Sequence, residues 1–238
     1  MVPPRVVPLV ALLVRSWNLF HGNASPPRRR SYLRAMVELV TRDEPDVVCL
    51  QEVPMWGLAR LVTWSGMQAF PAIARRGLRP AQLAGWVTRL HNGLLRSAVA
   101  GQANAILVRS DHACVSLGSS QVSDPGAERR VCQVVKVNGA TIVANTHLSS
   151  AGDRQRLELE RALAFAESHA DPGTAVVLAG DFNLRGVVLA GFSHPGPGID
   201  HVLVRGATAS QLVVWPQERR RQNGLVLSDH APVELLVR

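Results

Sequence analysis

The sequence is poor in lysine, tyrosine and cysteine, and it has no long apolar run. Lys136 is the sole lysine, so the positive charge is carried almost wholly by arginine. Cys49, Cys114 and Cys132 are an odd number, set among hydrophobic neighbours and without metal-ligand spacing. They read as buried free thiols, which argues against a disulfide framework. The longest apolar stretch, Val6 to Val14, is nine residues interrupted by Pro8, against the roughly 20 needed to cross a bilayer. A transmembrane helix is not expected. The stretch sits behind Arg5 as a secretory leader would, but no small-x-small cleavage site follows. It is therefore read as a buried first strand, and the chain as cytoplasmic rather than secreted.

Acidic residues are missing from one long segment. None lies between Glu52 and Asp111, where Arg60, Arg75, Arg76, Arg79, Arg89, Arg96 and Arg109 supply most of the net charge of +8. Such a balance favours polyanionic partners or an acidic surface. Within it Leu83, Trp86, Val87, Leu90 and Leu94 recur at helical spacing, which predicts an amphipathic helix in a basic insert at about 56–101. Its arginine face suits the phosphates of nucleic acid, and its Trp and Leu face suits an anionic membrane. Two further basic runs, Arg28 to Arg30 and Arg219 to Arg221, stand outside the insert. The first reads as a solvated helix start; the second lies in a polar loop ahead of the last motif.

What is present is a chain of 238 residues, 47% hydrophobic and 18% charged, enough for one large domain spanning 1–238 with its own core. Short β-branched runs dominate: Leu9 to Trp17, Val47 to Gln51, Ala105 to Val108, Val131 to Val137, Thr141 to Thr146, Ala175 to Leu178, Ile199 to Val204, Gln211 to Trp215 and Pro232 to Val237. Asn138-Gly139 between two of them is a strong hairpin signal, so part of the sheet is antiparallel. Leu33, Met36, Val37 and Val40 mark one helix. Leu159, Ala162, Leu163 and Ala166 mark another, with Asp153 as its expected N-cap. The expectation is an α/β protein of roughly ten strands with two or three outer helices.

Polar residues recur at the ends of the apolar strands: Asn18, Glu52, His147, Asp181 with Asn183, Asp200, and Asp229 with His230. Strand ends on one edge of a sheet converge on a pocket although far apart in sequence. A set of Asn, Asp, Glu and His without cysteine suits a hard divalent cation that keeps waters for a phosphate to replace. Phosphoryl chemistry is the expectation.

The motifs Ser16-Trp17-Asn18-Leu19-Phe20-His21-Gly22, Leu50-Gln51-Glu52-Val53, Asn145-Thr146-His147-Leu148, Gly180-Asp181-Phe182-Asn183, Gly198-Ile199-Asp200-His201 and Ser228-Asp229-His230-Ala231-Pro232 together resemble the DNase I-like endonuclease/exonuclease/phosphatase superfamily. The resemblance implies a four-layer α/β/β/α sandwich of two mixed sheets flanked by helices, hydrolysing phosphate esters with Mg²⁺ or Mn²⁺. It implies Glu52, Asn18 and Asp229 around the metal, Asp181 orienting or deprotonating the attacking water, and Asn183 fixing water and phosphate. His230 would bind or protonate a phosphoryl oxygen, Asp200 would pair with it, and His147 would lie near the phosphate and leaving oxygen. Arg130, opening the strand beside the His147 strand, is a candidate substrate contact. His21 and His201 are read as structural, and His91, His112, His169 and His194 as surface residues. No acidic partner for His147 is evident, and Tyr32 leaves no counterpart of the abasic-site repair branch's tyrosine.

These features favour a monomeric nuclease or related phosphodiesterase acting on nucleic acid. A phospholipid or sphingolipid phosphodiesterase or phosphatase using the Trp86 helix, and a non-catalytic nucleic-acid-binding member, are the competing readings.

Overall fold

The computed structural model describes residues 11–76, 101–150, 153–193 and 196–238. The amphipathic helix expected around Trp86, the basic residues beside it, and His91 and His194 lie outside the described residues, as does the chain before residue 11.

Two large sheets lie face to face. The first contains β1 (Leu12–Asn18), β3 (Val47–Val53), β4 (Gln68–Arg75), β5 (Gln102–Val108), β11 (Val213–Val214) and β14 (Val233–Val237), in the order β11-β14-β1-β3-β5-β4. The second runs β10-β9-β8-β7-β6, from β6 (Cys114–Gln121), β7 (Val131–Val137), β8 (Thr141–His147), β9 (Ala175–Asp181) and β10 (Asp200–Arg205). Each is mixed: β1 pairs β3 in parallel and β8 pairs β9 in parallel, while the other pairings are antiparallel. A small third sheet joins β2 (Ala24–Ser25), β12 (Arg221–Gln222) and β13 (Leu225–Leu227).

The period of two along the strands sorts side chains into three apolar layers. Val47 and Cys49 face inward with Leu12, Val14, Ile106 and Val108, meeting Val135, Val143, Val177 and Val202 of the second sheet. Their neighbours Val48 and Leu50 face outward onto Leu33, Met36, Val37 and Val40 of α1 (Leu33–Thr41). On the far side, Val134, Ile142, Val176 and Leu178 pack under Leu159, Ala162 and Ala166 of α3 (Arg154–Glu167). Helix, sheet, sheet and helix make the four layers expected. Among the described residues, no helix is long and apolar enough to cross a membrane.

Several local expectations are corrected. The start of the basic insert is built into the fold: after α2 (Leu61–Ser65), β4 adds an edge strand to β5. Asp153 occupies the N-cap of α3 but makes no capping bond. Glu158, one turn inside, instead accepts from the Ser149 amide and hydroxyl, each at 2.7 Å. His112 is buried, its Nε2 2.6 Å from Asp46 and its Nδ1 accepting from Asn138, so it staples loops at the end of the sheets. Cys49 and Cys132 are buried as read, whereas Cys114 is only half-buried. The Asn138-Gly139 hairpin forms with both residues at positive φ, inside a turn closed by the Ala140 amide on Val137 O at 3.1 Å; Val137 pairs with Thr141, so the loop is three residues long.

Candidate active site

Topology explains why residues from eight segments meet. β1 and β3 are parallel, so their C-terminal ends deliver Asn18 and Glu52 to one edge. β8 and β9 are parallel in the facing sheet, and their C-terminal ends deliver His147 and Asp181, which are register partners. Strands antiparallel to these begin where the others end. Asp200 therefore opens β10 opposite Asp181, and Arg130 precedes β7 beside the end of β8. Gln102 opens β5, and the loop before β14 carries Asp229 and His230 past the end of β1.

The backbone at these ends is specialised. A bulge in β3 between Leu50 and Val53 puts Glu52 at φ 53°, turning its side chain out of the regular alternation. Asn183 and Ser228 also have positive φ. Ser228 Oγ donates to Asn18 O at 2.7 Å and accepts from the His230 amide at 3.0 Å, while Trp17 Nε1 donates to His230 O at 2.9 Å. The first and last motifs are thus hydrogen-bonded to each other across the sheet.

Asp181 is the centre. Its Oδ2 accepts from Asn18 Nδ2 at 3.0 Å and lies 3.5 Å from His147 Nε2 and 3.7 Å from His230 Nε2; its Oδ1 accepts from the Asn183 amide at 3.0 Å. Asn183 Nδ2 donates to Leu148 O, fixing the turn after the strand. Burial above all, with the charge of Asp200, raises the Asp181 carboxyl to about 6. His230 Nδ1 donates to Asp200, with oxygens at 2.9 and 3.1 Å. Burial lowers its basicity, but the Asp200 bond and the charges of Asp200, Asp181 and Asp229 outweigh this and lift it to about 9. His230 is consequently an imidazolium at neutral pH.

His147 is the opposite case. Gln102 Nε2 donates to its Nδ1 at 2.9 Å, and Arg130 Nη1 approaches the same atom at 3.1 Å. Arg130 Nη1 also lies 3.3 Å from Nε2, against both ring nitrogens, so the Gln102 donor at Nδ1 is what leaves the ring proton on Nε2, the atom nearest Asp181 and 3.9 Å from Glu52. Burial, then the charges of Arg130, His230 and His21, hold this histidine well below its ordinary value and neutral. A glutamine and an arginine thus stand where an acidic partner for His147 was sought. Arg130 is itself buried, its Nη2 on Glu128, so it reaches the site through His147 rather than standing open to solvent.

Glu52 is half-buried among like charges. Desolvation, with repulsion from Asp181 and Asp229 and against an Asn18 hydrogen bond, pushes its carboxyl up to about 7. His21, read from sequence as structural, is buried with Nε2 3.1 Å from Glu52 Oε2. Its place in the first motif was visible, but only the turn at Phe20–Gly22 brings it to the carboxylate. His201 holds the structural role expected, donating to Leu184 O under Phe182. Beneath the site, Gln51 Nε2 donates to Asn145 Oδ1 at 2.8 Å, and Asn145 Nδ2 donates to Leu50 O and Ala105 O. These two motif residues lock the sheets together rather than face a substrate.

The donor set fits a hard divalent cation. Glu52, Asn18 and Asp229 offer oxygen, no thiol is near, and Glu52, raised first by desolvation and then by the charges of Asp181 and Asp229, is a carboxyl that an added positive charge would relieve. The grouping of acidic and histidine side chains with metal-ligand spacing among the described residues is Asp181, Asp200 and His230, whose donor atoms lie within 4.8 Å of one another. In that cluster the imidazole is engaged by Asp200, so an acid–base assembly describes it better.

The α/β/β/α sandwich carries a carboxylate, amide and histidine cluster at one edge of its sheets, an arrangement suited to hydrolytic phosphoesterase chemistry. The model of the Endonuclease/Exonuclease/phosphatase family matches residues 16–230, and the chain belongs to that family. Its members are generally hydrolytic phosphoesterases and typically use divalent metals. Similar solved structures include an endonuclease/exonuclease/phosphatase from Beutenbergia cavernae (20% identity, TM-score 0.68, 96% of this chain and 71% of that one). TDP2 from Caenorhabditis elegans matches at 17% identity and TM-score 0.66, over 96% of this chain and 74% of that one. A functionally unknown conserved protein from Enterococcus faecalis matches at 15% identity and TM-score 0.68, over 95% and 99%. Comparison by sequence with curated proteins finds no match.

Proposed function

We propose that the protein is a Mg²⁺- or Mn²⁺-dependent phosphodiesterase that hydrolyses nucleic acid by in-line attack of water. The observation that supports this most directly is the pair of opposed environments at Asp181 and His230. A buried carboxyl at about 6 and an imidazolium at about 9 face each other across 3.7 Å, each poised for one half of proton transfer. Asp181, held by Asn18 and the Asn183 amide, orients the water and accepts its proton. His230, held by Asp200, places positive charge on a phosphoryl oxygen. Neutral His147, with Nε2–H fixed by Gln102 and its charged form disfavoured by burial and by Arg130, donates a hydrogen bond to the phosphate without competing for that proton. Glu52, Asn18 and Asp229 would hold the cation, which supplies positive charge to the phosphoryl group when bound.

The test is cleavage of supercoiled plasmid and single-stranded DNA with Mg²⁺ or Mn²⁺, beside EDTA and Asp181→Ala controls. Metal-dependent nicking lost in both controls is expected. No cleavage by a folded protein would remove the DNase reading and bring RNA, phospholipid and small phosphoesters forward.

A further inference from the structure

The two arginine runs outside the insert are distant in sequence but adjacent in the fold. β12 and β13 form a hairpin closed by Asn223-Gly224, both at positive φ, and β13 pairs on its other side with β2. The register sets Arg221 opposite Val226 and Val226 opposite Ser25, so these three share one face, while Ala24 and Leu227 on the other face are buried. The chain after Ser25 turns back, and the Arg28 amide donates to Asn23 Oδ1 at 2.9 Å. Arg28, Arg29, Arg30 and Arg221 are all exposed.

This charge is uncompensated. Neither 19–37 nor 219–228 contains an acidic residue. Among the described residues, these four arginines form no ion pair, whereas Arg34, Arg109, Arg161 and Arg219 each hold a carboxylate. The patch is also continuous with the site. Asn23, which holds the Arg28 amide, accepts from the Ser228 amide at 2.9 Å, and Ser228 directly precedes Asp229. Arg220, the buried middle residue of the second run, donates to Leu227 O and Ser228 O and pins the hairpin to that loop.

Resting on the phosphodiesterase reading above, we propose that Arg28, Arg29, Arg30 and Arg221 form a phosphate track that holds the strand of nucleic acid flanking the scissile bond. Repeating phosphates match a row of exposed guanidinium groups. A membrane fits less well, because among the described residues no exposed large hydrophobic side chain belongs to β2, β12, β13 or residues 26–30, and a lipid surface needs an apolar side to bury.

The experiment measures binding of a fluorescent 20-nucleotide single strand by anisotropy against salt, in Asp181→Asn protein so that no cleavage intrudes. Arg28→Ala, Arg29→Ala, Arg30→Ala and Arg221→Ala are combined and compared with an equal loss of charge elsewhere, Arg42→Ala, Arg154→Ala, Arg156→Ala and Arg238→Ala. Thermal melts confirm that both variants fold. The track variant is expected to flatten the slope of log affinity against log salt by about 3, at about 0.7 for each phosphate no longer neutralised, and the control to leave it near that of the parent. Equal slopes in the two variants, or weakening of anionic-vesicle binding by the track variant with no change on oligonucleotide, would overturn the track. Failure of the intact protein to cut DNA alongside a flattened slope would leave the track standing and remove only the nuclease reading. Cleavage with unchanged slopes would do the reverse.

Discussion

Asp200→Asn isolates the electrostatic element on which the proposed chemistry turns. The carboxylate is the hydrogen-bond partner of His230 Nδ1 at 2.9 Å and, after the opposing effect of burial, the leading reason its basicity rises to about 9. The amide keeps the shape but removes the charge and, in one orientation, the acceptor. His230 should return to 6.5 or lower, since burial remains. At pH 8 the protonated fraction then falls from about nine-tenths to about 3%, a loss near 30-fold in the active form from titration alone. The sign for stability follows from linkage. A base raised in the folded state stabilises fully below its unfolded value of 6.5, and this is lost as pH climbs through about 9. The stabilisation at stake is about 3 kcal/mol at pH 6, as an upper estimate for a residue 18% exposed. The assay is an NMR titration of the histidine Cε1 protons, with urea unfolding at pH 6 and pH 10. An imidazole still titrating near 9 in the variant, or a wild type whose stability is equal at both pH values, would refute the reasoning.

Glu52→Gln should raise metal-free stability at pH 8 by about 1–3 kcal/mol, because a carboxyl pushed up to about 7 costs stability as pH rises from about 4.5 to about 7. Melts in EDTA check this, and a variant less stable than wild type would contradict it. Stabilisation of the wild type by Mn²⁺ should grow between pH 5.5 and pH 8 as Glu52 and Asp181 lose protons to the ion, and a pH-independent gain in melting temperature would speak against them as ligands or neighbours. Gln102→Leu removes the neutral donor at His147 Nδ1 and should lower kcat on a soluble phosphodiester while costing roughly 1–3 kcal/mol of stability; unchanged kcat would show that the tautomer is fixed without it. Gly180→Ala should prevent folding or cost more than about 4 kcal/mol, since a Cβ at φ +145° would sit 1.8 Å from Thr146 O. Soluble expression with a normal melt would mean the strands can separate there.

Much of the architecture was legible because it is written locally. Period-two apolar runs marked the central strands, Asn138-Gly139 marked the β7–β8 turn, and helical spacing at Leu33 to Val40 and Leu159 to Ala166 marked the outer helices. Of the four edge strands of the two large sheets, β10 and β11 were legible as Ile199 to Val204 and Gln211 to Trp215, but β4 and β6 were not. β6 is exposed along much of its length and lacks an alternating apolar face, and β4 carries Pro71 and lies in a segment that reads as an insert. Asp153 stands at the N-cap position the sequence marked, though its side chain makes no capping bond, while Glu158 ties Ser149 to the helix.

The sequence by itself determined which groups stand at the strand ends and, through their ordered motifs, the family and its chemistry, because turn formation and strand capping alone do not demand those residue types in that order. Tertiary structure alone decided their protonation and their partners. Whether a histidine is an imidazolium, as His230, or a neutral donor, as His147, depends on which side chains the crossing strands bring to about 3 Å: Asp200 for one, Gln102 and Arg130 for the other. The same holds for His21 against Glu52 and for two arginine runs nearly two hundred residues apart that a small sheet joins into one face. Sequence spacing encodes the direction of a side chain along its own strand; electrostatic environment is a property of neighbours that only folding assembles.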